Sequence, residues 1–539
     1  MKKLTYLLLL VLPLVSFSQE EDAWIYFIDK PNAQFYLDNP TQMLTQRALD
    51  RRAAQGISLQ SNDAPIEPLY VNQVAASQGI TLKAKSKWLN CVHVRGSVTD
   101  INALTNLSFV ESIVFADESL NVSGRQRMPQ PIIPINKSMD VTENFNYGNS
   151  QNQIEMLNGH LLHQANYTGA GKIIAVLDSG FINVNSTAPF QRLFDNNLIL
   201  GGYNYVSQST DLYSLHNHGT LVLSCMGGFV EGQLVGTAPN AQYYLFVTED
   251  VTEENPVEES YWVEAAEEAD RLGADVITSS LGYFGYDNPN YSHTYSDMIG
   301  NKAFASRGAN FAFSKGMVVV ASAGNSGNSS QPHVGVPAEA TNVLAIGAVQ
   351  FNEQYASFSS IGPSFDNRVK PDLMAQGQAS VVANTAGNIQ TASGTSFSGP
   401  IMAGMIASFW QAVPSLTNQQ VVDFVKGSAD RFANPNEQYG YGIPDFQLAL
   451  QNALLSTNQS QIERFQFFPN PTNGAVTFVI PSQSSPNEIK LYNGLGQLVF
   501  TSKVENSIQN IALDQLNSGI YYFTLDTSDQ TYQGKIIKN

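Results

Sequence analysis

Two cysteines in 539 residues, Cys91 and Cys225, are too few for a disulfide scaffold. Export would permit a bridge, but a pair so far apart in sequence cannot be joined by inspection, and both read as ordinary buried thiols. Positive charge is scarce as well: 28 Lys and Arg against 46 Asp and Glu leave a formal charge of -18. A chain this acidic has little with which to neutralise phosphates, which excludes a nucleic-acid partner. Beyond the N-terminus no apolar run approaches the ~20 residues of a transmembrane helix, so no membrane span is expected in the mature chain. No fixed-period repeat is present, which excludes solenoid and propeller arrays.

What is there begins at the N-terminus. Lys2 and Lys3 precede the apolar run LLLLVLPLV (Leu7 to Val15), and Ser16-Phe17-Ser18 offers a small-x-small cleavage pattern. This is the grammar of a secretory signal peptide over 1–18, and it makes the product a secreted protein. The remaining length is too great for one core and implies several domains.

Residues 19–125 alternate strand-like runs (AWIYFID, CVHVRG, VESIVFA) with the helical PTQMLTQRALDRRAAQ, which predicts a small α+β unit. A proline-rich, basic linker follows over 126–149, and Arg125 and Arg127, on either side of its first residue, would be accessible to proteolysis. Over 150–455 continuous apolar runs recur: KIIAVLD, QYYLFV, ADVITSS, GMVVVASAG and NVLAIGAV. Helix-period stretches lie between them, among them VEESYWVEAAEEADRLG, where Trp262, Ala265, Ala266 and Ala269 share one face. Strands without polar alternation, separated by helices, predict a parallel sheet covered on both sides, an α/β domain of three layers. Residues 461–539 hold short alternating strands and Asn-Gly or Pro-Asn turns, which predicts a small all-β sandwich.

In a parallel sheet the functional groups lie beyond the carboxyl ends of the strands. There KIIAVLD ends in Asp178, NHGTLVLSCMGG sets His218 at a helix start, and GMVVVASAGNSG runs into Ala323-Gly324-Asn325. GTSFSGP places Ser396 at the head of the helix IMAGMIASFWQAV, where unpaired amides favour negative charge, with Pro400 expected in the first turn. Each alone is an ordinary polar turn. Together they supply what an activated serine hydroxyl needs: a base for its proton and an acid to orient that base. The same glycine- and serine-rich loop lacks the lysine of a phosphate-binding P-loop. The order Asp, His, Ser also differs from the Ser, Asp, His of a lipase.

The blocks VLDSG, NHGT, SAGNSG and SGTSFSGP, with GADVITSSLG, VGVPA, FSSIGP and KPDLMAQG between them, resemble the signatures of the subtilisin-like serine peptidases, in that family's order. The resemblance implies a secreted serine endopeptidase acting on proteins or peptides through an acyl-enzyme. It makes Asp178 the residue that orients the imidazole, His218 the general base and acid, Ser396 the nucleophile, and Asn325 an oxyanion donor beside the Ser396 N–H. It places substrate as an added strand on Ser280, Leu281 and Gly282, near Ala323 and Gly324, with Gly335 at the base of a deep, uncharged specificity pocket of apolar or broad preference. Residues 19–125 resemble the family's pro-domain, a folding helper and intramolecular inhibitor. FPNPTNG, LYNGLGQLV, LNSGIYYF and GKIIKN resemble the C-terminal sorting domain of type IX secretion, which implies engagement of that machinery and possible surface attachment.

Three departures stand beside the match. Phe397 and Ser398 replace the alanine or methionine common near the nucleophile, Leu221 stands where many relatives have a second histidine, and His216 reads as an exposed loop residue. No cofactor is required for the implied chemistry. Structural calcium is frequent in the family, but no ligands can be assigned, and the acidic run EDVTEENPVEES reads as solvated. The competing interpretation, a surface-displayed binding protein on an inactive protease scaffold, fits the export and acidity equally well; the intact set Asp178, His218, Asn325 and Ser396 argues against it.

Overall fold

The computed structural model describes residues 20–121, 145–460, 466–479, 486–503, 508–527 and 531–539, so the expected signal peptide, Arg125 and Arg127 lie outside the described residues. The chain divides into two compact units, Met1–Leu450 and Gln451–Asn539.

In the first unit, strands Glu20–Phe27, Ile80–Ser86, Cys91–Ser97 and Val110–Phe115 form an antiparallel sheet in the order second, third, first, fourth. Inward residues such as Ala23, Ile25, Phe27, Val92 and Val94 supply its core. The helical stretch expected after Pro40 is in two pieces. A 3-10 turn covers Pro40–Gln42, and the α-helix runs Gln46–Ala54, capped where Thr45 Oγ1 accepts from the Ala48 amide at 3.3 Å.

That helix binds the rest of the unit through charge. Arg51 and Arg52 both reach Asp270, at 2.5 and 2.6 Å, and Arg52 also pairs with Asp63 at 2.9 Å. Lys315 pairs with Asp63 at 2.9 Å, and all five side chains are almost completely buried. Arg47 adds a pair with Asp275 at 2.5 Å, and Trp24 Nε1 donates to Ser260 Oγ at 2.8 Å.

The main sheet has seven parallel strands, in the order Leu373–Gln376, Val343–Val349, Val318–Ser322, Val276–Ser279, Ile173–Asp178, Gln242–Val247 and Ile199–Asn204. Every residue of Ile173–Asp178, Val318–Ser322 and Val343–Val349 is buried, as uninterrupted apolar runs require. Ile173, Ala175 and Leu177 join a core with helices Val257–Leu272 and Phe304–Ser314. In that core Trp262, Ala265, Ala266 and Ala269 are fully buried. Helices His218–Gly227 and Thr395–Ala412 pack against each other, and the latter also touches five of the strands. Because the strands are parallel, Asp178, Ser280 and Ala323 all arrive at one edge of the sheet.

Cys91, in the N-terminal sheet, and Cys225, in the His218–Gly227 helix, are free and fully buried, and burial pushes both thiols well up. The second unit holds a three-stranded and a four-stranded antiparallel sheet around a shared core that includes Phe478, Ile489, Leu491 and Phe523. No helix among the described residues is long and apolar enough to cross a membrane.

Candidate active site

Asp178 closes its strand with no exposed surface. Its Oδ1 lies 2.8 Å from His218 Nδ1, and the same oxygen accepts from the Ser179 amide at 2.8 Å and Ser179 Oγ at 3.3 Å. His218 is the first residue of its helix, and Gly219 after it is obligatory for packing. A Cβ there would stand 2.5 Å from the Gly180 carbonyl oxygen and 3.0 Å from Asp178 Cβ. Burial alone would disfavour a charged His218 ring; the Asp178 carboxylate outweighs it through charge and hydrogen bond, so its affinity for a proton is raised above the ordinary histidine value. His216 is half-buried rather than exposed. Its Nδ1 meets Ser179 Oγ at 3.0 Å, and its ring stacks 6.5 Å from that of His218.

Ser396 is the second residue of Thr395–Ala412. Pro400 is not in the first turn as expected: it is the sixth residue, inside the helix. A proline there removes the N–H that would bond the carbonyl four residues back, which is that of Ser396. Ser280 Oγ takes that acceptor instead, at 2.9 Å, and Ser322 Oγ holds the Thr395 carbonyl at 2.9 Å. Ser398 Oγ donates to the Thr395 carbonyl at 3.1 Å and Ser393 Oγ accepts from the Ala379 amide at 3.0 Å, so both have partners. Among the described residues the Ser396 hydroxyl has no hydrogen bond, to His218 or to any other group. The His218 ring lies 6.3 Å from that of Phe397, the next residue. Such bonds are often long in ligand-free enzymes and tighten around substrate.

Asn325 is held by Thr395, whose N and Oγ1 donate to Asn325 Oδ1 at 2.9 and 3.0 Å. The amide nitrogen is left for the site: a Cβ built on Gly394 would stand 3.7 Å from both Asn325 Nδ2 and the Ser396 backbone nitrogen. Beside them lies a cavity of about 210 Å³ whose walls include Ser280, Leu281, Gly282, Ala323, Gly324, Gly335, Asn325 and Ser396. Gly324 has φ +102°, a conformation that L side chains rarely adopt, and a Cβ there would meet Ser360 Oγ at 2.8 Å. Gly335 leaves open room, its nearest neighbours being Tyr283 O at 3.6 Å and Phe284 at 3.7 Å from an added Cβ. Phe284, Gln331 and His333 are also in the cavity wall and were not singled out from the sequence. Thr395, within SGTSFSGP, lines it too and carries no signal in the sequence that sets it apart.

The acidic run is not solvated as a whole. Glu258 and Glu259 are buried at the start of their helix, and carboxylate oxygens of Glu249, Glu254 and Glu258 come within 4.8 Å of one another. Burial pushes Glu258 up to about 8. Its two oxygens already accept from the Asp250 and Asn255 amides at 2.8 and 3.3 Å.

The Subtilase family matches residues 169–442, the Peptidase S8 propeptide domain of Bacteroidota matches 22–131, and the secretion system C-terminal sorting domain matches 466–539. Subtilisin NAT of Bacillus subtilis subsp. natto is 32% identical over 301 residues, 55% of this chain and 70% of the relative. Subtilisin E of Bacillus subtilis (strain 168) gives the same figures. The crystal structure of MycP1 from the ESX-1 type VII secretion system aligns with a TM-score of 0.45 and 22% identity, over 60% of this chain and 90% of that one. The chain therefore belongs to the subtilase family: it is a secreted serine-type endopeptidase that carries its own propeptide domain and a C-terminal secretion sorting domain.

Proposed function

We propose that peptide hydrolysis runs through Asp178, His218 and Ser396. The observation that carries this reading is the 2.8 Å bond from fully buried Asp178 to His218 Nδ1, which fixes the imidazole with Nε2 free. In the first step Ser396 Oγ attacks the scissile carbonyl carbon while His218 Nε2 takes the hydroxyl proton. The oxyanion is received by the Ser396 N–H and Asn325 Nδ2, the two groups that border Gly394. Collapse expels the amine, which leaves with the proton from His218, and the acyl-enzyme on Ser396 is then hydrolysed by water that His218 deprotonates. These steps use side chains and backbone of this chain alone and call on no cofactor.

Substrate is extended along Ser280-Leu281-Gly282 as an added strand, with Ala323 and Gly324 opposite and Gly335 deepening the cavity. Residues 19–125 act as the intramolecular inhibitor held by the Arg51, Arg52 and Asp270 pairs, and 461–539 address the chain to the secretion machinery. A fluorophosphonate should label the processed protein at Ser396, and Ser396→Ala should abolish casein hydrolysis. Absence of labelling in correctly processed wild type would refute the assignment and favour an inactive scaffold.

A further inference from the structure

The glycine at position 335 suggests an apolar pocket; the wall is mixed, with Ser326, Gln331, His333 and Ser360 set among Leu281, Phe284 and Val336. None of the residues lining the cavity beside Ser396 is Asp, Glu, Lys or Arg, and the one imidazole among them is His333. Tyr295 stacks on that ring at 3.9 Å between centroids and 18° between planes, and is itself anchored by Tyr295 Oη donating to the Pro363 carbonyl at 2.9 Å. The ring is thus fixed by one face, with its edge left for polar contact.

Neither His333 nitrogen has a hydrogen-bond partner among the described residues, and Nδ1 is buried. A buried N–H without an acceptor is rarer in folded proteins than an acceptor left bare. The ring proton therefore belongs on Nε2, the nitrogen that is not enclosed, which becomes a donor. A second donor stands nearby: Ser360 Oγ accepts from the Ser326 amide at 3.1 Å, leaving its own proton uncommitted. The exposed Gln331 amide adds a third.

We propose that His333 sets the specificity of this cavity, and that it selects, for the residue preceding the scissile bond, a side chain ending in a carboxylate or carboxamide oxygen: glutamate or glutamine. The inference rests on Ser396 being the nucleophile, since only then does the side chain next to the attacked carbonyl enter the space beside it. An aliphatic or aromatic side chain would cover the His333 and Ser360 donors without pairing them, and a site that loses its hydrogen bonds discriminates strongly. A lysine or arginine would find no carboxylate there.

The test uses the secreted, processed enzyme with peptides that differ only at that residue, as Glu, Gln, Leu, Phe or Lys. The Glu or Gln peptide should exceed the Leu, Phe and Lys peptides in kcat/KM by roughly tenfold or more, the worth of one well-made hydrogen bond. His333→Leu should bring that ratio close to one by lowering the Glu and Gln values, and fluorophosphonate labelling of Ser396 shows that the variant is folded. Preference for Glu, for Gln or for both alike supports the assignment. A wild type that prefers Leu, Phe or Lys, or a labelled His333→Leu with an unaltered ratio, overturns it. The wild-type series decides even where the variant fails to fold. Unlabelled Ser396 in wild type refutes the nucleophile assignment, and this inference with it, whereas labelling with a flat series refutes the inference alone.

Discussion

Thr395 fixes Asn325 through two hydrogen bonds that end on a single oxygen, Oδ1, at 2.9 Å from the amide and 3.0 Å from the hydroxyl. Thr395 Oγ1 also accepts from the Gly324 amide at 3.2 Å, so one buried hydroxyl locks both the strand end and the orientation of the Asn325 amide. Thr395→Val keeps the shape and the backbone bond but removes the hydroxyl. It should lower kcat about tenfold with little change in KM, because the proposed oxyanion donor is loosened while ground-state binding is not. Removing the donor itself, in Asn325→Ala, should cost about 10²–10³ in kcat, as in subtilisin. Steady-state kinetics on a peptide substrate measure both.

The raised proton affinity of His218 has a definite sign. In the proposed mechanism the ring must be neutral to accept the Ser396 proton, so activity should be lost as pH falls through its value in the enzyme. That value lies above the ordinary histidine ~6.5, and the acidic limb of kcat/KM should too. Asp178→Asn removes the carboxylate that raises it and leaves burial as the dominant effect. The limb should then move to lower pH while kcat drops about 10⁴-fold. A limb that stays in place would show that Asp178 does not control the imidazole.

Ser280 replaces the hydrogen bond that Pro400 takes away from the Ser396 carbonyl. Ser280→Ala leaves that acceptor unpaired at a cost of about 1–3 kcal/mol, or about 1–2 °C in Tm per kcal/mol for a unit of this size. The double variant Ser280→Ala, Pro400→Ala restores a backbone N–H and should recover most of the loss. Thermal unfolding of the Ser396→Ala background, which does not digest itself, gives the comparison.

Arg52 bridges Asp63 and Asp270 with almost no exposure to water. Arg52→Met removes the charge and leaves two carboxylates underpaired, which costs about 3–5 kcal/mol at a buried site. The cleaved pro-domain of this variant should therefore dissociate more than a hundredfold more readily than that of wild type. Retention of the fragment on size-exclusion chromatography, and the lag before activity appears, report it. Equal retention would mean that the pairs are offset by their own desolvation.

Much of the site was legible because the chemistry follows the strands. A strand buried on both faces is written as an unbroken apolar run, and Asp178, Asn325 and their neighbours stand directly after such runs. The N-terminal strand Ile80–Ser86 was harder, since ITLKAKS carries two lysines on a half-exposed edge. Glu258 and Glu259 read as solvated from composition alone. Their burial depends on neighbours distant in sequence, as Glu259 does on Tyr286 and His293, each at 2.7 Å. The pairing of Arg51 with Asp270, 219 positions apart, leaves no local trace. His333 was passed over for a similar reason: VGVPA marks the glycine, but only the fold brings Tyr295 against the ring.

The two thiols never meet: Cys91 belongs to the sheet of the propeptide domain and Cys225 to the helix that begins with His218. Folding of this exported enzyme therefore has no disulfide to form and no oxidative step to await. Once the propeptide is cut away, a single enclosed sulfhydryl stays behind, unable to cross-link within the molecule and shielded from oxidants. The same catalytic architecture should persist on either side of the cell envelope, in reductant as in air.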